Sequence, residues 1–251
     1  MPSPLQKQLP NYLTMARLLF SLIFFIALSF YRYPDTHPAL LDLALFLFII
    51  AAITDWLDGA LARRWKVISP FGRIMDPVCD KVLVIGAFVF LAGPRFAIPD
   101  SQLPTDQLLS QIHTNTPRMI SAVYPWMVVL ILGRELLVTA IRGFMESEGI
   151  AFGASWSGKA KMILQSIVIP ILLLSIAHFD PINNHNIQLL QQILVYLTLT
   201  VTILSGWPYI KKAIDRKQSK TLQFNSSTTI SDRETISQNN TQSVDTTPSC
   251  N

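Results

Sequence analysis

The chain has 251 residues, of which 50% are hydrophobic and 14% charged, and its mean hydropathy is +0.38. A soluble domain carries nearer ~25% charged residues, so the composition points to an all-α integral membrane protein and sets a soluble helical bundle aside. The formal net charge of +4 suits an anionic leaflet and phosphorylated ligands; with no basic surface clear of the apolar runs, nucleic acid is excluded as a partner.

After a short polar lead (residues 1–8), apolar runs occupy 13–31, 38–58, 74–93, 118–141, 160–178 and 187–210. Each is read as a transmembrane helix, six in all. Only the last exceeds the ~18 uncharged residues of an unambiguous span. The others carry charges near one end, among them Arg17, Asp42, Asp55, Asp58, Asp76, Asp80, Lys81 and Arg134. Such ends are tolerated at the interface or around a polar cavity. Residues 94–118 form a proline-rich loop, and Cys79 and Cys250 offer neither a disulfide framework nor a metal spacing.

Six spans put both termini on one side. Of the 20 Lys and Arg, only Arg32, Arg95 and Arg118 fall in the opposite connections, so the positive-inside rule predicts cytoplasmic termini. No cleavable signal is expected, because Arg17 interrupts the first run and no small-residue cleavage site follows it. The chain is therefore read as a membrane domain over 1–210 and a tail over 211–251. The tail opens on the basic run K-K-A-I-D-R-K-Q-S-K and then becomes polar, a composition expected to be disordered with its basic start on anionic headgroups.

The chemistry lies between the second and third runs. D-W-L-D-G-A-L-A-R starts at Asp55, and G-R-I-M-D-P-V-C-D ends at Asp80. On a helix, Asp55, Asp58, Gly59, Ala62 and Arg63 share one face. A second helix starting at the Ser69-Pro70 cap puts Gly72, Asp76 and Asp80 on one face as well. Juxtaposed, the two faces bring four carboxylates to one cavity with glycine-cleared room beside them. Oxygen-only ligation selects a hard cation, Mg²⁺ or Mn²⁺, and four carboxylates suit two such ions, a common device for phosphoryl transfer. Arg63 and Lys81 would take the remaining phosphate charge. Downstream, Arg134 and Arg142 lie two turns apart on one face of the fourth helix, and Lys159 and Lys161 follow. Together with Lys81 they make a cationic pocket for a small phosphorylated acceptor, while Glu135 is placed to orient a neighbouring arginine. Trp156 and Trp207 read as interfacial anchors.

The pattern D-x-x-D-G-x-x-A-R-x8-G-x3-D-x3-D, filled at every position, resembles the signature of the CDP-alcohol phosphotransferases. The resemblance covers roughly residues 9–210. It implies a six-helix membrane fold, usually homodimeric, with a cytoplasm-facing di-metal site between helices 2 and 3. It also implies transfer from a CDP-linked lipid or alcohol to a second alcohol, with release of CMP. By matching positions, Asp55, Asp58, Asp76 and Asp80 would hold two metal ions, with Asp80 the general base. Asn11, Thr14, Gly59, Ala62, Arg63, Ser69 and Gly72 would contact the CDP-lipid.

L-P-N-Y-L-T-M-A-R (Leu9 to Arg17), G-R-E-L-L-V-T-A-I-R (Gly133 to Arg142) and S-G-K-A-K-M-I-L-Q (Ser157 to Gln165) resemble the phosphatidylglycerophosphate synthase branch. That branch transfers phosphatidyl from CDP-diacylglycerol to sn-glycerol 3-phosphate at the cell (inner) membrane. Its phosphate acceptor would sit on Lys81, Arg134, Arg142, Lys159 and Lys161. The related cardiolipin synthases carry Arg-Asp where Arg134-Glu135 stands. Other acceptors of the same chemistry are phosphatidylglycerol, serine and inositol phosphate. A divalent-cation transporter is the non-enzyme alternative, and an intramembrane prenyltransferase the other enzyme class.

Overall fold

A computed structural model describes residues 4–34, 38–65, 70–99, 118–149, 156–179 and 184–214. Among them are six α-helices: α1 (Pro4–Phe30), α2 (Pro38–Trp65), α3 (Pro70–Leu91), α4 (Pro125–Ser147), α5 (Trp156–His178) and α6 (His185–Leu204). No β-strand occurs among the described residues. The chain divides into two compact units. One comprises Met1–Leu136 with Gly153–Ser205, the other Leu137–Phe152 with Gly206–Asn251.

In the first unit α1 packs on α2 and α3, α2 also on α5, and α5 on α6. Each helix turns one stripe inward. On α1 the stripe runs Thr14, Arg17, Ser21, Phe24 and Leu28, continued by Tyr31 just past its end; on α2 it runs Leu41, Ala44, Phe48 and Ala51; on α3 Cys79, Leu83, Ala87 and Leu91. These steps of three and four residues are the helical repeat. The opposite faces stay apolar yet exposed, as with Leu19, Leu22, Ile26 and Phe30 on α1 or Leu189, Ile193, Tyr196 and Leu197 on α6. A helix apolar all round belongs in lipid. Gly86 of α3 faces α1, where a Cβ would stand 2.4 Å from the end of the Phe25 ring; that ring stacks on Phe90 with centroids 5.6 Å apart.

Four segments are long and apolar enough to cross a bilayer: Tyr12–Phe30, Pro38–Asp55, Gly158–His178 and His185–Ile214. The sequence predicts six. Only Lys81–Leu91 of α3 falls among the residues whose side chains are continuously described, and α4 carries Arg134, Glu135 and Arg142 within its length. Both are the helices to which the sequence assigns polar work. Helix α3 is described from Pro70, and Ser69 of the expected cap lies outside the described residues. Helix α1 begins nine residues earlier than its apolar run, because hydropathy registers only the part that is greasy. Helix α4 begins later than its run, at Pro125, for a different reason.

That reason lies at the end of the unit where α3 finishes. Ile98 N–H donates to Arg118 O (2.8 Å), Ile120 N–H to Phe96 O (2.9 Å) and Tyr33 N–H to Arg95 O (3.0 Å). An isolated antiparallel bridge pairs Ala97 with Met119. The Ser121 hydroxyl donates to Leu91 O (2.6 Å) and accepts from Val123 N–H (3.2 Å), while the Tyr31 and Phe96 rings stack 4.9 Å apart. Apolar Met119 and Ile120 are thus buried in a folded-back segment rather than in a helix. His178 Nε2 meets Asp42 Oδ1 at 2.8 Å near the same end. In the second unit, α4 finishes on Gly149 at φ +75, whose N–H donates to Glu146 O (3.0 Å). Glycine takes this left-handed position without the Cβ penalty.

Candidate active site

The inward stripe of α1 ends in polar residues. Thr14 and Arg17 are each 1% exposed, in a helix otherwise built of Leu, Ile and Phe. A guanidinium there needs an anion, since an isolated buried charge is far too costly. The α2 stripe supplies it one turn beyond Ala51: Arg17 Nη1 lies 2.6 Å from Asp55 Oδ1. Ser21 donates its hydroxyl to the Arg17 carbonyl (2.8 Å). Asp55, the first carboxylate of the sequence motif, is therefore held by one cation while remaining 36% exposed. The sequence treats Arg17 only as an interruption of an apolar run; a buried Arg in a spanning helix was itself the signal that a facing acid exists.

Asp58, Gly59, Ala62 and Arg63 lie within α2, and Gly72, Asp76 and Asp80 within α3, but their side chains, like that of Asn11, lie outside the described residues. Ser69 lies outside them altogether. Among the described residues no group of three or more His, Cys, Asp and Glu gathers. The donor chemistry of the motif, all carboxylate oxygen, fits a hard divalent cation.

A second polar cluster is built from α4, α5 and the end of α6. Arg134 Nη1 donates to Glu135 Oε1 at 2.9 Å, and Lys161 Nζ donates to the same oxygen. Arg134 Nη2 donates to Ser205 Oγ at 2.7 Å, and Ser205 in turn donates to Thr202 O at 2.7 Å. The side chains of Arg134, Glu135 and Lys161 are 10%, 8% and 7% exposed. Arg134 Nε is buried and makes no hydrogen bond among the described residues. Lys81 of α3 lies close enough for its charge to act on Lys161. Above the cluster the α5–α6 seam stays polar, with Gln165 Nε2 donating to Thr202 Oγ1 (3.3 Å) and Gln191 Nε2 to Ser175 Oγ (2.7 Å).

The structure therefore brings together two of the five cations the sequence assigns to an acceptor, Arg134 and Lys161, with Lys81 within electrostatic range of Lys161. Lys159 instead lies over the Trp156 ring, 5.9 Å from its centroid, and Arg142 falls in the second unit. Glu135 has the orienting position read for it, but shared between two cations. Ser205 escaped the sequence reading, because nothing local marks a serine 71 positions away as an arginine's partner. Trp156 and Trp207 are exposed, at 85% and 66%, as anchors require. A groove of about 250 Å³ lies between α2 and α5, lined by Phe48, Ile49, Ala52, Ile53, Ser166 and Pro170. Its α2 wall begins two residues before Asp55.

The family model described as CDP-alcohol phosphatidyltransferase matches residues 7–204. Among similar proteins is one of Rickettsia bellii (strain RML369-C), 29% identical over 207 residues, covering 82% of this chain and 96% of that protein. One of Bacillus subtilis (strain 168) is 29% identical over 211 residues, 81% and 94% of the two chains. One of Haemophilus influenzae (strain ATCC 51907 / DSM 11121 / KW20 / Rd) is 30% identical over 210 residues, 82% and 92%. All three are named CDP-diacylglycerol–glycerol-3-phosphate 3-phosphatidyltransferase.

Proposed function

The chain belongs to the CDP-alcohol phosphatidyltransferase family, and from that premise we propose that it transfers the phosphatidyl group of CDP-diacylglycerol to sn-glycerol 3-phosphate, giving phosphatidylglycerol phosphate and CMP. It is a membrane enzyme of phospholipid biosynthesis. The observation that carries the acceptor is the buried cluster of Arg134 and Lys161 beside Lys81. A phosphomonoester needs such a pocket; serine does not. Membership of a transferase family argues against the divalent-cation transporter alternative.

In the proposed mechanism, CDP-diacylglycerol keeps its acyl chains in lipid while its headgroup lies along Asn11, Thr14, Gly59, Ala62, Arg63, Ser69 and Gly72. The family generally uses divalent cations. Asp55, Asp58, Asp76 and Asp80 would hold them, two in our reading, and when bound Mg²⁺ or Mn²⁺ supplies charge stabilisation to the pyrophosphate. Arg17 fixes the rotamer of Asp55 by taking Oδ1, so that the carboxylate presents its remaining lone pairs in one direction. Glycerol 3-phosphate takes its place on Lys81, Arg134 and Lys161. Asp80 accepts the proton of the 1-hydroxyl, whose oxygen forms a bond to the β-phosphorus. The bond from that phosphorus to the bridging oxygen breaks, and CMP leaves with the electron pair.

We place six spans across the cell (inner) membrane, with residues 1–210 forming the domain, both termini and the site cytoplasmic, and residues 211–251 a tail. A homodimer is the proposed assembly. Purified protein in detergent, given CDP-diacylglycerol and each acceptor separately, tests the assignment: CMP release should require glycerol 3-phosphate. Release with phosphatidylglycerol, serine or inositol phosphate instead would reassign the enzyme within its family.

A further inference from the structure

We infer that Ser166 is a specificity-determining residue for the lipid substrate: its hydroxyl donates to an ester carbonyl of CDP-diacylglycerol, so that the enzyme distinguishes ester-linked from ether-linked lipid. The inference rests on the reading of this chain as a transferase acting on CDP-diacylglycerol. Ser166 stands in the groove between α2 and α5, whose α2 wall includes Phe48 and Ala52. Steps of four and three residues carry that same helix face on to Asp55, which closes the spanning stretch Pro38–Asp55. With a rise of about 1.5 Å per residue, the groove begins about 3 Å deeper in the bilayer than the carboxylate. A lipid whose pyrophosphate lies at the acidic motif meets this groove next along its length, ester linkages ahead of hydrocarbon.

Phe48, Ile49, Ala52, Ile53 and Pro170 make the lining apolar, and Ser166 is its polar member. Other hydroxyls of the spanning helices turn back on their own helix: Ser21 donates to Arg17 O, Thr54 to Ile50 O, Ser175 to Leu172 O and Thr198 to Leu194 O. Ser166 does not, and its hydroxyl makes no hydrogen bond among the described residues. Pro170, one turn further along α5, has no N–H to offer the Ser166 carbonyl, so polarity gathers at this single turn of the groove. In hydrocarbon a polar group without a partner is costly. The hydroxyl is a donor, and an ester carbonyl is the acceptor that the substrate brings to this depth. An ether-linked chain fills the same apolar walls but brings no carbonyl, and leaves the hydroxyl unanswered.

The test compares CDP-diacylglycerol with its di-ether analogue of the same chain length, each varied in mixed detergent micelles at saturating glycerol 3-phosphate. The readout is KM for the lipid in CMP release by the full-length protein. Wild type must first release CMP from CDP-diacylglycerol; failure there strikes down the transferase reading itself, separately from the role of Ser166. Wild type should show a KM for the ester lipid at least fivefold below that for the ether. Ser166→Ala should bring the two within twofold by raising KM for the ester alone. Ser166→Cys, close in size but a weak donor, should do the same, and it serves where Ser166→Ala does not fold. Ile53→Trp, which fills the groove, should raise KM for both lipids at least fivefold without changing KM for glycerol 3-phosphate. Equal KM values for the two lipids in wild type overturn the proposal. So does a preference that survives in Ser166→Ala or Ser166→Cys, or a lipid KM unmoved by Ile53→Trp.

Discussion

The ion pair between Arg17 and Asp55 makes an asymmetric prediction about stability. Arg17 is 1% exposed and Asp55 36%, at 2.6 Å, so the arginine has no solvent to fall back on while the aspartate has some. Two charges whose centres are ~4 Å apart interact by about 4 kcal/mol at an effective dielectric of ~20. Screening at the open aspartate brings this toward the ~1 kcal/mol of exposed pairs, so a coupling of about 2 kcal/mol is expected. Asp55→Asn removes the carboxylate that meets Arg17 Nη1 and should cost about 3 kcal/mol, near the lower end of broken buried pairs. Arg17→Met removes the buried charge and fills its space, leaving a carboxylate that water still reaches, so its cost should be nearer 1 kcal/mol. The double variant should cost about 2 kcal/mol, about 1 kcal/mol less than Asp55→Asn alone. Reversible unfolding of the four proteins in mixed detergent micelles measures the cycle. Additivity within ~0.5 kcal/mol, or an Arg17→Met variant less stable than Asp55→Asn, would refute the reasoning.

Three other outcomes are expected. Arg134→Ala should raise KM for glycerol 3-phosphate about a hundredfold and Ser205→Ala about fivefold, with KM for CDP-diacylglycerol unchanged in both; steady-state kinetics with each substrate varied separates the two effects. Asp80→Asn should bind CDP-diacylglycerol in equilibrium dialysis as wild type does, yet lose at least a thousandfold in CMP release, and normal turnover would remove Asp80 from the base role. EDTA should abolish transfer and excess Mg²⁺ or Mn²⁺ restore it, with intrinsic tryptophan fluorescence reporting that the fold survives the cycle.

Sequence and structure agree where one helix carries its own signal. The apolar faces were legible because apolar runs of such length have few other uses. The boundaries of α1 and α4 were not. Pro4–Phe30 continues into polar residues that hydropathy ignores, and Met119 and Ile120 satisfy a hydropathy count while serving as the buried filling of a turn. At the candidate site, the acidic motif carried the family resemblance through its spacing, and Arg134 and Lys161 stood out as charges in apolar helices. What the sequence could not supply was pairing. Arg17 demanded an acid and Glu135 a cation, but which partner each would meet depends on how α1, α2, α4 and α5 cross. Ser205 was invisible for the same reason, being an ordinary residue made important by the guanidinium that reaches it.

The clasp that joins 94–99 to 118–124 has a practical consequence. Because Ile98, Ile120 and the Ala97–Met119 bridge close the backbone on each other, the chain on both sides of the intervening sequence is anchored by contacts that do not involve it. An epitope or a cysteine grafted into that sequence should leave the transferase assembled and tell an impermeant label which face of the bilayer carries the clasp.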